Sequence, residues 1–255
     1  MNFAADPETL HPAVVGAMGR PERFLVPKGA RVVLARPRGT PVYFVINNRD
    51  DRIHKAQLNG RFYEQEVLDR LARHLPAGGV FVDIGANIGN HTLYMARHSQ
   101  AARIIPMEPN PAAISLLAAV VRLNQIEDKV ELGALGYGIG DREAEGYSVK
   151  IPKGNLGWTR IAQEGGDLSL RTGDSLLAHE ERVDLIKIDV EGMEVAALSG
   201  LGNTLRRHRP ALFVEVDHTN KPAFDKAMSR LGYELTEAFP RTRMNQNFLM
   251  APVST

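Results

Sequence analysis

Residues 80–89, VFVDIGANIG, place an apolar strand directly before a turn that contains Gly85 and Gly89. The amphipathic stretch NHTLYMAR follows at once, so the turn leads from a buried strand into a helix. Glycines at the carboxyl end of such a strand permit positive φ and leave no Cβ between the backbone and a ligand. The first N–H groups of the helix face the same crevice. This feature predicts an α/β fold with a ligand crevice at that turn.

A second short strand, in the segment ARIIPMEPN (102–110), ends in Glu108, 19 residues after Gly89. In doubly wound α/β sheets a carboxylate at this position accepts hydrogen bonds from both ribose hydroxyls of an adenosine moiety. Asn110 and Pro111 then form a helix start, an N-cap residue before a proline. A dinucleotide loop has the spacing G-x-G-x-x-G, whereas this loop has G-x-x-x-G. The sequence favours a nucleoside pocket over a tight turn that binds nothing.

From residue 80 onward, strands alternate with helices, which predicts a mostly parallel sheet covered by helices on both faces. We expect strands at 80–84, 103–107, 130–134, 184–189 and 211–216, and helices at 60–76, 90–98, 110–124, 192–208 and 222–231. The helix at 192–208 should break around Gly200 and Gly202. The stretches YELTEAF and NQNFLMAP predict a closing strand pair, with the final strand antiparallel. Residues 23–47 predict a β-hairpin, and the long connection 138–182 should hold another that shapes a binding site.

Four runs, VDIGANIGNHTL, MEPNP, VDLIKIDVEGMEVAALSG and RPALFVEV, resemble in order and spacing the FkbM family of S-adenosylmethionine-dependent methyltransferases. The resemblance implies the class I methyltransferase fold, which is Rossmann-like, with a mostly parallel seven-stranded sheet and helices on both faces. It also implies O-methylation of a sugar-like or other hydroxylated natural product. We expect residues 1–60 to form a small N-terminal β-hairpin extension and residues 61–255 the methyltransferase domain.

The resemblance further implies which residues line the S-adenosylmethionine site. These are Asp83, Gly85, Ala86, Asn87, Gly89, Glu108, Asn110 and Asp189. Tyr63 and Glu64 match a family pattern of an aromatic residue next to a glutamate before the glycine loop, and are expected at the methionine end of the cofactor. The alternative, that the helix at 60–76 only covers the sheet, explains this segment as a whole equally well.

The stretch VDLIKIDVEG (183–192) carries Lys187, Asp189 and Glu191 two residues apart, on one face by strand periodicity. A buried parallel strand should be nearly all apolar, so charges there are costly unless they are paired or functional. Methyl transfer to an alcohol requires a base that takes the hydroxyl proton. Asp189 and Glu215 are the first candidates for this base, ahead of Glu191 and His218. Lys187 would neutralise the acidic groups, and a purely structural ion-pair network around it remains the alternative.

In a variant of this interpretation, the acidic residues at this site hold a divalent cation. Asp189, Glu215, Asp217 and His218 together would suit Mg²⁺ or Mn²⁺ better than Zn²⁺, because oxygen ligands predominate. The family resemblance alone does not imply a metal ion.

The segment GNLGWTR (154–160) contains the single tryptophan of the chain. Asn155, Trp158 and Arg160 are candidates for substrate binding, because an aromatic face stacks on sugar C–H groups while amide and guanidinium groups bond hydroxyls. Alternatively, Trp158 only anchors the loop to the core.

The composition of the chain limits which kinds of partner we expect it to bind. With 31 basic and 30 acidic residues the formal net charge is +1, which argues against a nucleic-acid partner. The chain has no cysteine, and its longest near-apolar run, AAISLLAAVV (112–121), is far shorter than the roughly 20 residues of a membrane span. The start MNFAADPETL lacks the features of a secretory signal. We expect a cytoplasmic protein with a small hydroxylated substrate and no membrane insertion, and a homo-oligomer remains open.

Two other functions share parts of this pattern. A nicotinamide-dependent oxidoreductase also has a glycine turn and an acidic end to its second strand, but the chain lacks the Tyr-x-x-x-Lys pair that would supply a dehydrogenase acid. A cofactor-binding module that has lost catalysis is the other alternative, which the charges at 187–191 and 215–218 oppose.

Overall fold

In the computed structural model the described residues are 26–150, 160–163, 165–240 and 244–253. They form an α/β fold with a six-stranded central sheet, a four-stranded sheet and a two-stranded hairpin. Among these residues, no helix combines the length and the hydropathy that crossing a bilayer requires.

The strands in chain order are β1 (Arg31–Ala35), β2 (Val42–Ile46), β3 (Val80–Ile84), β4 (Arg103–Met107), β5 (Gly138–Gly140), β6 (Ala144–Lys150), β7 (Arg160–Ala162), β8 (Leu168–Thr172), β9 (Leu185–Ile188), β10 (Ala211–Asp217), β11 (Tyr233–Pro240) and β12 (Asn245–Pro252). The helices are α1 (Arg52–Leu58), α2 (Gln65–Ala72), α3 (Asn90–His98), α4 (Pro111–Leu123), α5 (Gly173–Leu176), α6 (Glu194–Gly200), α7 (Gly202–His208) and α8 (Lys221–Leu231). A short 3-10 turn, Pro37–Gly39, joins β1 to β2.

The central sheet has the strand order β11-β12-β10-β9-β3-β4. Strands β4, β3, β9 and β10 are parallel to one another, and β12 lies antiparallel between β10 and β11. This confirms the predicted closing pair with an antiparallel final strand. The expectation of seven strands is wrong for the described residues, because the segment 130–134 makes only one isolated bridge, Ile104 with Val130. The Glu131 carboxylate accepts the N–H of Gly133 (3.0 Å), and this local turn ends the pairing. The sheet is therefore mixed and six-stranded.

Each face of the central sheet covers a separate part of the core. One face packs against α2, α3, α4 and the β1–β2 hairpin, and the other against α6, α7 and α8. The hairpin joins the first of these layers: Phe44 meets Phe62 edge-on with ring centroids 5.1 Å apart, and the Tyr43 N–H donates to the side chain of Asn124 (2.9 Å). The hairpin predicted for 23–47 is confirmed over 31–46, and it shares its core with the sheet; residues 23–25 lie outside the described residues. The domain boundary at residue 60 stays a prediction.

The connection after α4 holds the four-stranded sheet, in the order β5-β8-β6-β7, with antiparallel pairs that confirm the predicted hairpin. It packs closely on the helix pair that follows β9. A Cβ on Gly200 would lie 2.0 Å from the carbonyl oxygen of Gly140, so only glycine allows this approach. The helix predicted at 192–208 is divided there into α6 and α7, as expected.

Candidate active site

The glycine loop between β3 and α3 is held tightly by its neighbours on both sides. Its residues with positive φ are Gly85 (75°), Asn87 (49°) and Gly89 (84°). The N–H groups of Gly85 and Ala86 both donate to the carbonyl oxygen of Met107 at the end of β4 (2.8 and 3.0 Å). On the other side, a Cβ on Gly85 would lie 1.9 Å from the carbonyl oxygen of Asp189. The loop can therefore keep its shape only with glycine at position 85.

Glu108 lies at the end of β4, against this loop, as predicted. Only 5% of the residue is exposed, and its carboxylate accepts the N–H groups of Asn87 (2.8 Å) and Asn110 (2.9 Å). Burial raises the pKa of Glu108 to about 7, although these two backbone N–H groups favour the ionised form and oppose the rise. Asn110 in turn caps α4, since its Oδ1 accepts the N–H of Ala112 (3.0 Å). The carboxylate joins the two loops that follow β3 and β4.

Asp83 and Lys187 form a buried ion pair beneath the loop. Asp83 is fully buried, and its Oδ2 accepts the hydroxyl proton of Thr92 (2.7 Å). The Lys187 Nζ lies 3.3 Å from Asp83 Oδ1, and it donates to the carbonyl oxygen of Gly85 (2.7 Å). It also lies 3.9 Å from Asp189 Oδ2. This geometry agrees with the structural ion-pair network considered from the sequence, and contact of Asp83 with a ligand stays a prediction.

Three carboxylates converge beside the loop: Asp189, Glu191 and Glu215, here called the carboxylate trio. One oxygen of each lies within 4.8 Å of the others. Strand β9 ends at Ile188, so Asp189 and Glu191 lie on the turn after the strand. The prediction of a strand over 184–189 is therefore wrong for Asp189, which it placed within the strand. Glu191 has a φ of 42°, and this turn brings its side chain back toward the other two. The side-chain amide of Asn245 donates to Glu215 Oε1.

A buried glutamate that sequence reasoning missed supports the turn of the trio. Glu194 accepts the N–H of Gly192 at Oε1 (2.7 Å), and its Oε2 accepts the side-chain amide of Asn220 (2.7 Å). The same Asn220 amide donates to the carbonyl oxygen of Gly192 (3.1 Å). A glutamate at the start of a helix is ordinarily a solvated residue that interacts favourably with the helix dipole, so no sequence pattern distinguishes Glu194 from such residues. Glu194 connects the ends of β9 and β10.

The end of β10 does not bring all the predicted residues to the trio. His218 is exposed, and its backbone N–H donates to the carbonyl oxygen of Met244 (2.9 Å). The Asp217 carboxylate accepts the N–H and the hydroxyl proton of Thr219 (2.8 and 2.7 Å). Within the described residues, the group whose oxygens could share a cation contains Glu191 in place of Asp217 and His218. Such acidic clusters are common without a metal ion.

The segment of Tyr63 and Glu64 lies against the start of α3. Asn90, the first residue of α3, is almost completely buried, and its side chain bonds both backbone groups of Tyr63. Its Oδ1 accepts the Tyr63 N–H (3.2 Å), and its Nδ2 donates to the Tyr63 carbonyl oxygen (3.1 Å). Glu64, the N-cap residue of α2, has a left-handed conformation with a φ of 54°. The sequence did not single out Asn90, since an asparagine after a glycine turn is unremarkable.

The predicted substrate contacts are only partly within the described residues. Arg160 begins β7, and nothing further is described for its side chain. Asn155 and Trp158 lie outside the described residues. All three stay predictions.

The fold matches that of a solved methyltransferase. The structure is similar to methyltransferase FkbM from Methylobacillus flagellatus KT, with a TM-score of 0.52 and 17% sequence identity, over 72% of this chain and 50% of that chain. At this identity the similarity establishes the α/β methyltransferase fold and nothing about the substrate.

The family follows from the sequence match. A model of the methyltransferase FkbM domain matches residues 83–238, which is more than half of the 255 residues, so the protein belongs to the FkbM methyltransferase family. The chain is 26% identical over 180 residues to the hexuronic acid methyltransferase AglP of Haloferax volcanii, covering 68% of this chain and 70% of AglP. It is 28% identical over 163 residues to methyltransferase sdnD of Sordaria araneosa, covering 50% of this chain and 62% of sdnD. The resemblance found in the sequence is confirmed.

Proposed function

We propose that the protein is an S-adenosylmethionine-dependent O-methyltransferase that acts on a hydroxyl group of a small sugar-like or glycosylated molecule. The observation that carries this proposal is the position of the glycine loop. Glu108 bonds the loop from the end of β4, and Asp189 packs against it from the end of β9. A nucleoside-recognising carboxylate and a candidate base therefore contact the same five-residue turn.

The residues around the loop fit the cofactor. Asn87 Oδ1 is buried and has no hydrogen-bond partner within the part of the chain that the structure describes. A buried acceptor without a partner is costly, and a donor on a bound nucleoside would satisfy it. Each carboxylate oxygen of Glu108 accepts one backbone N–H and retains a lone pair for a ribose hydroxyl. When bound, S-adenosylmethionine supplies an electrophilic methyl group on its sulfonium.

The residues of the trio differ in how accessible they are to a substrate. The side chain of Asp189 is 23% exposed, whereas Glu215 is buried and holds the amide of Asn245. A base must reach the hydroxyl proton that it removes, so Asp189 is the better candidate and Glu215 the second. The Lys187 Nζ lies 3.9 Å from the Asp189 carboxylate and contributes positive charge beside the candidate base. We propose that Glu191, whose carboxylate lies within 4.8 Å of the other two, orients a second hydroxyl of the acceptor.

The acceptor class that we propose follows from one relative and from the charge of the chain. AglP, the hexuronic acid methyltransferase, favours a sugar-like acceptor. The nearly balanced charge of the chain favours a small molecule over a nucleic acid. Asn155, Trp158 and Arg160 are the residues that we propose for contact with the acceptor.

Isothermal titration calorimetry tests the cofactor. The purified protein is titrated with S-adenosylhomocysteine and, in parallel, with NADH, each with and without Mg²⁺. We expect S-adenosylhomocysteine to bind and NADH not to bind. Binding of NADH alone would overturn the proposal, and an affinity that requires Mg²⁺ would add a metal ion to the site.

Activity is then measured as formation of S-adenosylhomocysteine from S-adenosylmethionine with a panel of neutral sugars, uronic acids and glycosides. Asp189→Asn is the control that separates catalysis from background hydrolysis. Tight cofactor binding together with no product from any hydroxylated acceptor would favour the binding module without catalysis.

A further inference from the structure

Asn90 makes a contact that its own helix does not need. Its side-chain amide pairs with the backbone of a residue 27 positions earlier, accepting the Tyr63 N–H and donating to the Tyr63 carbonyl oxygen. Only 3% of Asn90 is exposed, and Tyr63 is half-buried. The N-cap residue of α3 is Gly89, which provides no side-chain cap, and Asn90 does not compensate for this. A residue of modest helix propensity is thus buried at the start of α3 to hold a remote segment.

The segment that Asn90 holds is fixed on its other side by aromatic packing. Phe62 is buried, and its ring meets the rings of Phe44 and Tyr94 edge-on, each with centroids 5.1 Å apart. Between this anchor and α2, Glu64 adopts a left-handed conformation without a side-chain cap. Positive φ at a residue that is not glycine persists where the surroundings impose it, often at functional sites. The two anchors therefore hold the backbone immediately before Glu64.

The same segment is connected to the glycine loop through Asn90, which directly follows Gly89. Asn87 bonds Glu108, and Asn90, three residues later, bonds Tyr63. Glu108 thus contacts the middle of the loop, whereas Tyr63 lies beside the residue that directly follows the loop. The amino-acid part of the cofactor carries an ammonium group, for which the Glu64 carboxylate is a suitable partner.

We propose that Asn90 is a positioning residue, which holds Tyr63 and Glu64 in place for the amino-acid end of the cofactor and does not act on its nucleoside end. This inference rests on the proposed function, since it assumes that S-adenosylmethionine is the cofactor. It assigns to Asn90 a selective effect: loss of the amide should weaken binding of ligands that carry the amino-acid group and spare those that lack it.

Two ligands distinguish this effect from general damage to the site. S-adenosylhomocysteine carries the amino-acid group, and 5′-methylthioadenosine has the nucleoside and sulfur without it. For Asn90→Ala, calorimetry should show the dissociation constant of S-adenosylhomocysteine rising by about tenfold or more, with that of 5′-methylthioadenosine changed by less than about twofold. Asn90→Asp keeps the acceptor for the Tyr63 N–H and loses the donor, so it should have an intermediate effect.

The chain offers a matched control. Asn124 makes the same reciprocal pair with the backbone of Tyr43, accepting its N–H (2.9 Å) and donating to its carbonyl oxygen (2.7 Å). It follows the last turn of α4, a helix of 13 residues and so roughly 20 Å long, whose other end is near the cofactor site. Asn124→Ala should lower the thermal unfolding midpoint and leave the affinities for both ligands unchanged.

An equal loss of affinity for both ligands in Asn90→Ala, or no loss for either, would overturn the positioning role. If Asn90→Ala does not fold, the same comparison is made with Asn90→Asp. Failure of the unmodified protein to bind S-adenosylhomocysteine would instead refute the proposed function, so the two failures are distinguishable. Weak binding of 5′-methylthioadenosine is measured by its displacement of S-adenosylhomocysteine.

Discussion

Affinity for the cofactor should depend on the protonation state of Glu108. Burial raises the pKa of this carboxyl group to about 7, while the N–H groups of Asn110 and Asn87 favour the ionised form. An ionised carboxylate accepts hydrogen bonds from both ribose hydroxyls, whereas the neutral acid presents an O–H group to one of them. S-adenosylhomocysteine should therefore bind the ionised form in preference.

The size of the effect follows from the pKa. Below a pKa of about 7 the ionised fraction falls tenfold for each pH unit, which is about 1.4 kcal/mol of binding free energy. Between about pH 8 and about pH 5 the dissociation constant of S-adenosylhomocysteine should rise by up to about a hundredfold. Glu108→Gln has no proton to gain, so its weaker binding should be independent of pH over this range.

Stability of the cofactor-free protein should change in the opposite direction. The folded-state pKa of Glu108, about 7, lies above its ordinary value of 4.5, so the folded protein binds this proton more tightly than the unfolded chain. The contribution of Glu108 to the free energy of unfolding is fully present below 4.5 and is lost as the pH rises through 7. Acidification should thus favour the free fold while it weakens the complex.

Calorimetry across this pH range, with thermal unfolding in parallel, measures both effects. Glu180→Gln is the control: burial also raises the pKa of Glu180, but this residue lies 3.1 Å from Arg103 at the start of β4, the end opposite Glu108. The control should retain the pH dependence of S-adenosylhomocysteine binding. A flat profile for the unmodified protein, or the same slope in Glu108→Gln, would refute the assignment of Glu108 to the ribose.

Three further substitutions test the loop and the trio. Gly85→Ala places a Cβ 1.9 Å from the Asp189 carbonyl oxygen and should lower the thermal unfolding midpoint much more than Gly78→Ala, which also has positive φ but nothing within 4 Å. Equal shifts would mean that backbone strain alone matters. Lys187→Met leaves Asp83 buried without its cation and should cost about 3–5 kcal/mol in urea unfolding, and a cost below about 1 kcal/mol would contradict the ion pair. Asp189→Asn should lower single-turnover rates by about a hundredfold or more with nearly unchanged S-adenosylhomocysteine affinity, and a parallel fall in both would indicate a role in binding.

The sequence predicts best where local patterns decide the structure. The limits of β3, β4 and α3 agree with the predicted ones, because apolar runs bounded by glycine and charged residues leave few alternatives. The contact of Glu108 with the loop followed from the general topology of such sheets. The prediction of a strand at 130–134 is wrong for a local reason, because the Glu131 side chain competes with the sheet for the N–H of Gly133.

The supporting residues of the site could not be predicted in this way. Asn90 and Glu194 act through partners that are distant in the sequence or lie in turns: Tyr63 for the first, Gly192 and Asn220 for the second. No periodicity indicates such contacts, because they depend on how the loops meet after folding. The exposed position of His218 was unpredictable for the same reason.

The register of β3 against β9 determines which partners the charged residues at 187–191 contact. In that register Asp83 lies opposite Lys187, so the lysine faces a buried carboxylate that the strand pattern of β9 alone does not reveal. Lys187 also bonds the carbonyl oxygen of Gly85 and lies near the carboxylate of Asp189. The Lys187 ammonium group thus interacts with both the glycine loop and the carboxylate trio. Because the Asp189 carbonyl oxygen also packs against Gly85, a backbone distortion at either residue should change cofactor affinity and turnover together, whereas Asp189→Asn changes only the side chain and should affect turnover alone.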